Sequence, residues 1–185
     1  GLYGAEKMLL SLAAEQQALG LDVTILSAGE HGCGEKAIET EAARLGLKVV
    51  AWRMKPGLNL FAAWRIRDWA LENNFSILHS HGYKFDILLN VLPKTSRFYK
   101  TVSTVHGYTA TTLFSKLGLY RLLDRFFLRF SDGFCVVSQS LKSSFARYPN
   151  IHFIPNGIDE KDSSLPGDDD NVSCDYLISV GRLSK

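Results

Sequence analysis

Ser103-Thr104-Val105-His106-Gly107 closes a β-rich run that begins at Lys100. A strand ending in histidine and then glycine has the form expected where an open α/β sheet meets its ligand, because ligands of such sheets sit outside the carboxyl ends of the strands. Histidine placed there donates or accepts a hydrogen bond near neutral pH. The glycine lets a ligand approach the backbone closely.

On both sides of this run, strand and helix patterns alternate. Upstream, Met8, Leu9, Leu12, Ala13 and Leu19 follow the helical period over residues 5–19, and Gly20 stops the helix. Residues 21–27 read as a strand, 28–35 as a glycine-rich loop, 36–45 as a short helix and 47–52 as a strand. A helix over 58–73 follows the Pro56-Gly57 turn, then a short strand over 76–81 and a helix over 84–92 closed by Pro93. Downstream, the pattern predicts a helix over 116–130, a strand over 133–138, a helix over 141–146 and a strand over 151–154. Alternation of this kind implies an α/β fold, a doubly wound parallel sheet covered on both faces. Residues 159–175 hold Ser163-Ser164, Pro166-Gly167 and Asp168-Asp169-Asp170, which is linker chemistry, and 176–180 read as one more strand. The chain opens on a loop entering a helix, an element that normally follows a strand. A first strand is therefore expected ahead of Gly1, and the place it would fill is an expected weakness of the sheet.

The 185 residues are 46% hydrophobic and 22% charged, an ordinary globular composition for one domain with a sizeable core. A net charge of +2 gives no nucleic-acid footprint. Cys33, Cys135 and Cys174 lie far apart and are odd in number, which fits reduced thiols and a cytoplasmic setting. No apolar run approaches the ~20 residues a membrane-spanning helix requires.

Four stretches carry candidate chemistry. Gly1-Leu2-Tyr3-Gly4 opens a helix whose free N–H groups favour an anionic group such as a phosphate, although the G-x-G-x-x-G pattern is absent. His79 and His81, two apart on a strand, share a side as metal pairs often do. A metal site needs further ligands, with Asp86 the only nearby candidate, so the pair reads first as one packed histidine and one lining a cleft. On the helix over 116–130, Leu119, Leu122, Leu123, Phe126, Phe127 and Phe130 share one face and Arg121, Arg125 and Arg129 form a basic stripe on another. That pattern reads first as a core-packing helix with a solvated arginine face, and more sharply as a surface for anionic lipid or a phosphorylated acceptor. Ile154-Pro155-Asn156-Gly157-Ile158-Asp159 places a tight Asn-Gly turn after a strand.

In order, these pieces resemble the retaining glycosyltransferases of the GT-B fold, family 4. Gly4-Ala5-Glu6 is similar to the family's helix entry, Gly20-Leu21-Asp22-Val23-Thr24 and Ile77-Leu78-His79-Ser80-His81 to two of its strands, and Thr104-Val105-His106-Gly107 to its threonine-x-histidine-glycine segment. Val136-Val137-Ser138, residues 154–159 and Val180-Gly181-Arg182-Leu183-Ser184 continue the series. Ser76 and Asp22 depart from the aspartate and histidine usual at those places.

The resemblance implies an N-terminal, acceptor-binding domain over residues 1–157, a linker over 158–174 and the first strand of a donor-binding domain over 175–185. It implies transfer of a sugar from a nucleoside-diphosphate donor, with retention, to a lipid-linked, polysaccharide or other glycan acceptor, without cofactor or metal and without nucleic acid. By carry-over, His106 contacts the transferred sugar and Gly1, Gly4 and Arg182 meet the donor diphosphate. His81, Tyr83, Lys84, Gly107 and Tyr108 lie on the acceptor side. Arg121, Arg125 and Arg129 face the acceptor or an anionic membrane, in a cytoplasmic or peripheral inner-membrane setting serving polysaccharide or cell-envelope assembly. Such a fragment is expected to be inactive alone. The rival readings are a metal-dependent hydrolase built on His79 and His81, and a non-enzymatic module that docks through the arginine face.

Overall fold

The computed structural model describes residues 2–107, 115–148, 150–155 and 157. Along the chain, α1 (Gly4–Ala18), β1 (Thr24–Glu30), α2 (Ala37–Arg44), β2 (Lys48–Met54), α3 (Phe61–Glu72), β3 (Ile77–Ser80) and α4 (Tyr83–Asn90) come first. They are followed by β4 (Lys100–Val105), α5 (Lys116–Phe127), β5 (Gly133–Val136), α6 (Gln139–Ser144) and β6 (Ile151–Phe153). Short 3-10 turns cover Lys94–Ser96 and Leu128–Phe130. The anticipated strand over 176–180, the linker and the donor-domain start lie outside the described residues.

Local chemistry explains the boundaries. After α1, Gly20 takes φ +84°, a left-handed value that a side chain disfavours, and Leu21 N–H closes onto the Gln16 carbonyl at 3.0 Å. Ser115 caps α5 by accepting from Gly118 N–H at 3.0 Å, and Ser138 caps α6 by accepting from Leu141 N–H at 3.3 Å. One loop expectation is corrected. Residues 28–30 continue β1, because Gly29 pairs with Arg53 and Glu30 with Met54. A side chain at Gly29 would collide with Cys33 Sγ, so glycine serves close approach there rather than a turn.

Among the described residues every strand pairing is parallel, as expected of a doubly wound sheet. The strands fall into two groups, β1–β2 and β3–β4–β5–β6. Trp52 and Met54 of β2 pack with Ala62, Ala63 and Ile66 of α3 and with Leu88 and Leu89 of α4, so one apolar cluster ties the two groups together. A second cluster joins α1, β1 and α2 through Leu10, Ala13, Ile25, Ile38 and Ala42. A third lies under α6, where Phe134 and Phe145 meet edge-to-face and each contributes about 2–3 kcal/mol by burial.

Between the facing sides of β1 and β3 runs a cavity of about 840 Å³, lined by residues 24–28 on one wall and 76–81 on the other.

Candidate functional site

The register of β3 against β4 builds the site. Ser80 pairs with Ser103, so His81 and His106 both emerge just past the carboxyl ends of neighbouring strands. His79 Nε2 lies 2.8 Å from the buried Thr104 Oγ1, and His81 Nδ1 lies 3.3 Å from His106 Nε2, one ring N–H donating to the other's lone pair. The rings of His79 and His81 are 4.2 Å apart and those of His81 and His106 5.6 Å, a continuous row of three imidazoles. Its members come from the two stretches singled out in the sequence.

The row is uncharged at neutral pH. Burial, then the charge of His106, lowers His79 to about 4. His79 is open to the cavity, so the cause is protein crowding around a recess and not full enclosure. Burial, then His79 and His106, brings His81 to about 3. Burial also lowers His106. Neutral imidazoles each offer one donor and one acceptor, which suits hydroxyl groups better than phosphates.

Strand alternation corrects the metal-ligand expectation for Asp86. Ser80, on the opposite side of β3 from the two histidines, donates to Asp86 and lies 2.9 Å from Ser103 Oγ. Asp86 therefore belongs to the packing of α4 against the sheet and does not join His79 and His81. Burial, then the neighbouring Asp124 carboxyl of α5, pushes Asp86 well above the usual carboxylate range. Among the described residues, no cluster of three or more His, Cys, Asp or Glu is arranged to hold a metal ion.

His81, Tyr83 and Lys84 line the cavity at its end near the strand termini, together with Glu6, Gly57, Lys116 and Tyr120. Tyr83 meets Tyr120 at a tilt, with 5.7 Å between ring centroids. Lys116 and Tyr120 escaped the sequence reading because nothing local marks them; the packing of α4 on α5 brings them in. Gly107 takes φ +149° with open space around it, so the backbone after His106 is accessible. At the start of α1, Gly4 also faces open space, while the Glu6 carboxylate accepts from Tyr3 N–H at 3.0 Å. His106 and Gly107 stand behind His81 and do not line the cavity. Gly1, Tyr108 and Arg182 lie outside the described residues.

The arginine stripe is not simply solvated. Arg125 donates to the Ser144 carbonyl at 3.1 Å and sits 4.6 Å over the Phe145 ring, and Arg129 sits 5.5 Å over Tyr148. The core-facing expectation for the apolar side of α5 is corrected in part, since of its six members only Leu123 and Phe127 are half-buried. Leu119, Leu122, Phe126 and Phe130 are exposed, while Gly118, Asp124 and Leu128 are buried. The inward face is set by the Asp86–Asp124 contact.

Comparison with known proteins follows this geometry. The family model described as Glycosyltransferase Family 4 matches residues 3–162. No curated protein matches the chain. Among solved structures, Anabaena Alr3699/HepE in complex with UDP is similar at 17% identity and a TM-score of 0.64, over 86% of this chain and 42% of that one. A glycosyltransferase from Rickettsia africae ESF-5 is similar at 15% identity and a TM-score of 0.61, over 84% of this chain and 40% of that one. The chain thus spans about two fifths of the length of these structures. At such identities the likeness concerns the fold. Among the described residues, no helix is long and apolar enough to cross a membrane.

Proposed function

The chain belongs to Glycosyltransferase Family 4, and from that premise we propose that it is the acceptor-side part of a retaining transferase that moves a sugar from a nucleoside-diphosphate donor to a glycan or lipid-linked acceptor. Residues 1–157 form the acceptor-binding domain, 158–174 the linker and 175–185 the start of the donor domain. The presence of UDP in the similar Anabaena structure favours a uridine nucleotide. The reaction needs no metal or cofactor, and polysaccharide or cell-envelope assembly is its setting.

The observation that supports this reading best is the neutral row His79–His81–His106 at the ends of β3 and β4. A retaining transfer develops charge on the leaving diphosphate, which fixed N–H groups and a cation stabilise. Gly1, Gly4 and Arg182 take that role. His106, uncharged and held by His81, positions a sugar hydroxyl and is not the anion's partner. Gly107 leaves room at the backbone, and Tyr83, Lys84 and Tyr108 border the acceptor.

The division of labour makes the chain inactive by itself and a weak donor binder. Calorimetry with UDP- and GDP-sugars is expected to show no binding tighter than about millimolar, on the order of 4 kcal/mol; micromolar binding would overturn the reading. In the transferase that carries both domains, His106→Ala is expected to lower kcat by about a hundredfold while leaving the fold intact. Unchanged turnover would remove His106 from the site.

A further inference from the structure

We propose that Asp86 of α4 and Asp124 of α5 share one proton across the helix interface, and that this proton latches α5 onto α4 until alkaline pH removes it. Asp124 is 1% exposed and Asp86 2%. The buried residues of α5 are Gly118 and Asp124, so the side chain this helix sends fully inward is a carboxyl group and not an apolar one. There it meets the Asp86 carboxyl in a hydrogen bond. A carboxylate only accepts, so a bond between these two groups requires a proton on one of them.

The sheet offers the pair hydroxyl groups. Ser80 of β3 donates to Asp86, and Ser103 of β4 lies 2.9 Å from Ser80 Oγ. His79 and His81 leave β3 on the opposite side. On α4, Asn90 donates to the Asp86 backbone carbonyl at 2.9 Å and not to its carboxyl, while Lys84 lines the cavity. Arg97 is committed to Asn90, Thr101 and the carbonyls of Leu89 and Phe130. On α5, Lys116 lines the cavity, Arg125 donates to the Ser144 carbonyl, and Arg121 stands one turn before Asp124, half-buried. Burial, then the Asp124 carboxyl, holds Asp86 well above the usual carboxylate range. The pair therefore titrates in two steps, the second delayed. In the unfolded chain both groups ionise near pH 4. Between that value and the second step the folded protein binds one proton more, so stability falls as pH rises, until the shared proton is gone. Its loss replaces a hydrogen bond by two like charges between α4 and α5. Because α5 carries Lys116 and Tyr120 to the end of the cavity near the strand termini, the latch also fixes that end, and its release opens it.

Carbon-13 shifts of the aspartate carboxyls count the protons directly, with no donor or acceptor present, so the outcome is separate from that of the transferase reading. At pH 7 one aspartate carboxyl is expected to remain protonated. Asparagine keeps the size of Asp86 and still accepts from Ser80. In Asp86→Asn the delayed step should disappear, with Asp124 titrating at least about one pH unit below it. From pH 7 to 8 the folding constant from urea titration should fall about tenfold in the unaltered chain and stay nearly level in the variant. Over the same range α5 amides should lose protection more steeply than β4 amides, and Asp86→Asn should remove that difference. If the variant does not fold, the carboxyl count and the amide comparison on the unaltered chain decide. Every aspartate ionised at pH 7, an Asp124 titration in Asp86→Asn that keeps the delayed step, or α5 and β4 amides that follow pH alike overturns the proposal.

Discussion

At the scale of single residues, three imidazoles form one row, of which His79 and His81 line the cavity, and none is charged at neutral pH. The sign of the consequence follows from proton counts. In the unfolded chain these rings take up protons near pH 6.5, whereas in the fold His79 holds out to about 4 and His81 to about 3. Between those limits the unfolded state binds more protons, so stability falls as pH falls from about 6.5 toward 4. The urea midpoint is expected to follow that course. The double variant His79→Gln with His81→Gln should have a shallower dependence over the same window; an equal slope would show that the rings are not the titrating groups. The histidines themselves were legible in the sequence, since a His-x-His spacing on a strand announces itself. What the spacing could not convey was that His79 would be held by Thr104 and His81 by His106, both twenty-five positions away. Nor could it tell that Asp86, close in sequence, faces the other side of the strand.

At the scale of elements, helix α5 shows where pattern reading stops. Its period separates an apolar face from a basic one, but periodicity is blind to which face turns inward. That choice belongs to the partners. Asp86 on α4 meets Asp124, Tyr148 donates to the Arg125 carbonyl at 3.0 Å, and Arg125 and Arg129 lie over aromatic rings beyond β5. A second polar assembly anchors the same region. Arg97 donates to Asn90 Oδ1 at 3.0 Å, Thr101 Oγ1 at 3.2 Å and the carbonyls of Leu89 at 3.3 Å and Phe130 at 3.0 Å, joining α4, β4 and the turn after α5. Replacing it by methionine would take this donor from the carbonyls of Leu89 and Phe130, while Asn90 Oδ1 keeps its bond from Thr101 Oγ1 at 2.8 Å. Arg97→Met is expected to destabilise the protein by about 3 kcal/mol in chemical denaturation, and Arg97→Lys should not restore it, since an ammonium cannot span the same fork. A loss under about 0.5 kcal/mol would show that the network is not structural.

At the scale of the whole molecule, two groups of parallel strands are tied by the Trp52–Ala62–Leu88 cluster and separated by the cavity between β1 and β3. Strands that lack a neighbour on one side open at lower free energy than strands paired on both. Amide exchange should therefore be slowest in β4 and β5, paired on both sides, and faster by about a hundredfold in β3 and on the cavity side of β1. Uniform protection across the six strands would show that the two groups behave as one closed sheet. The sequence by itself determined the class of fold, the order of the elements to within a few residues and the strand-end histidines, and its ordered motifs carried the resemblance to the family. The first three rest on local spacing, which period and turn residues record directly. Only the tertiary structure decided which side of α5 meets solvent, which residues join His81 and His106, and where the sheet divides. Those depend on contacts between positions far apart in the chain, and no local pattern carries the orientation of one element against another.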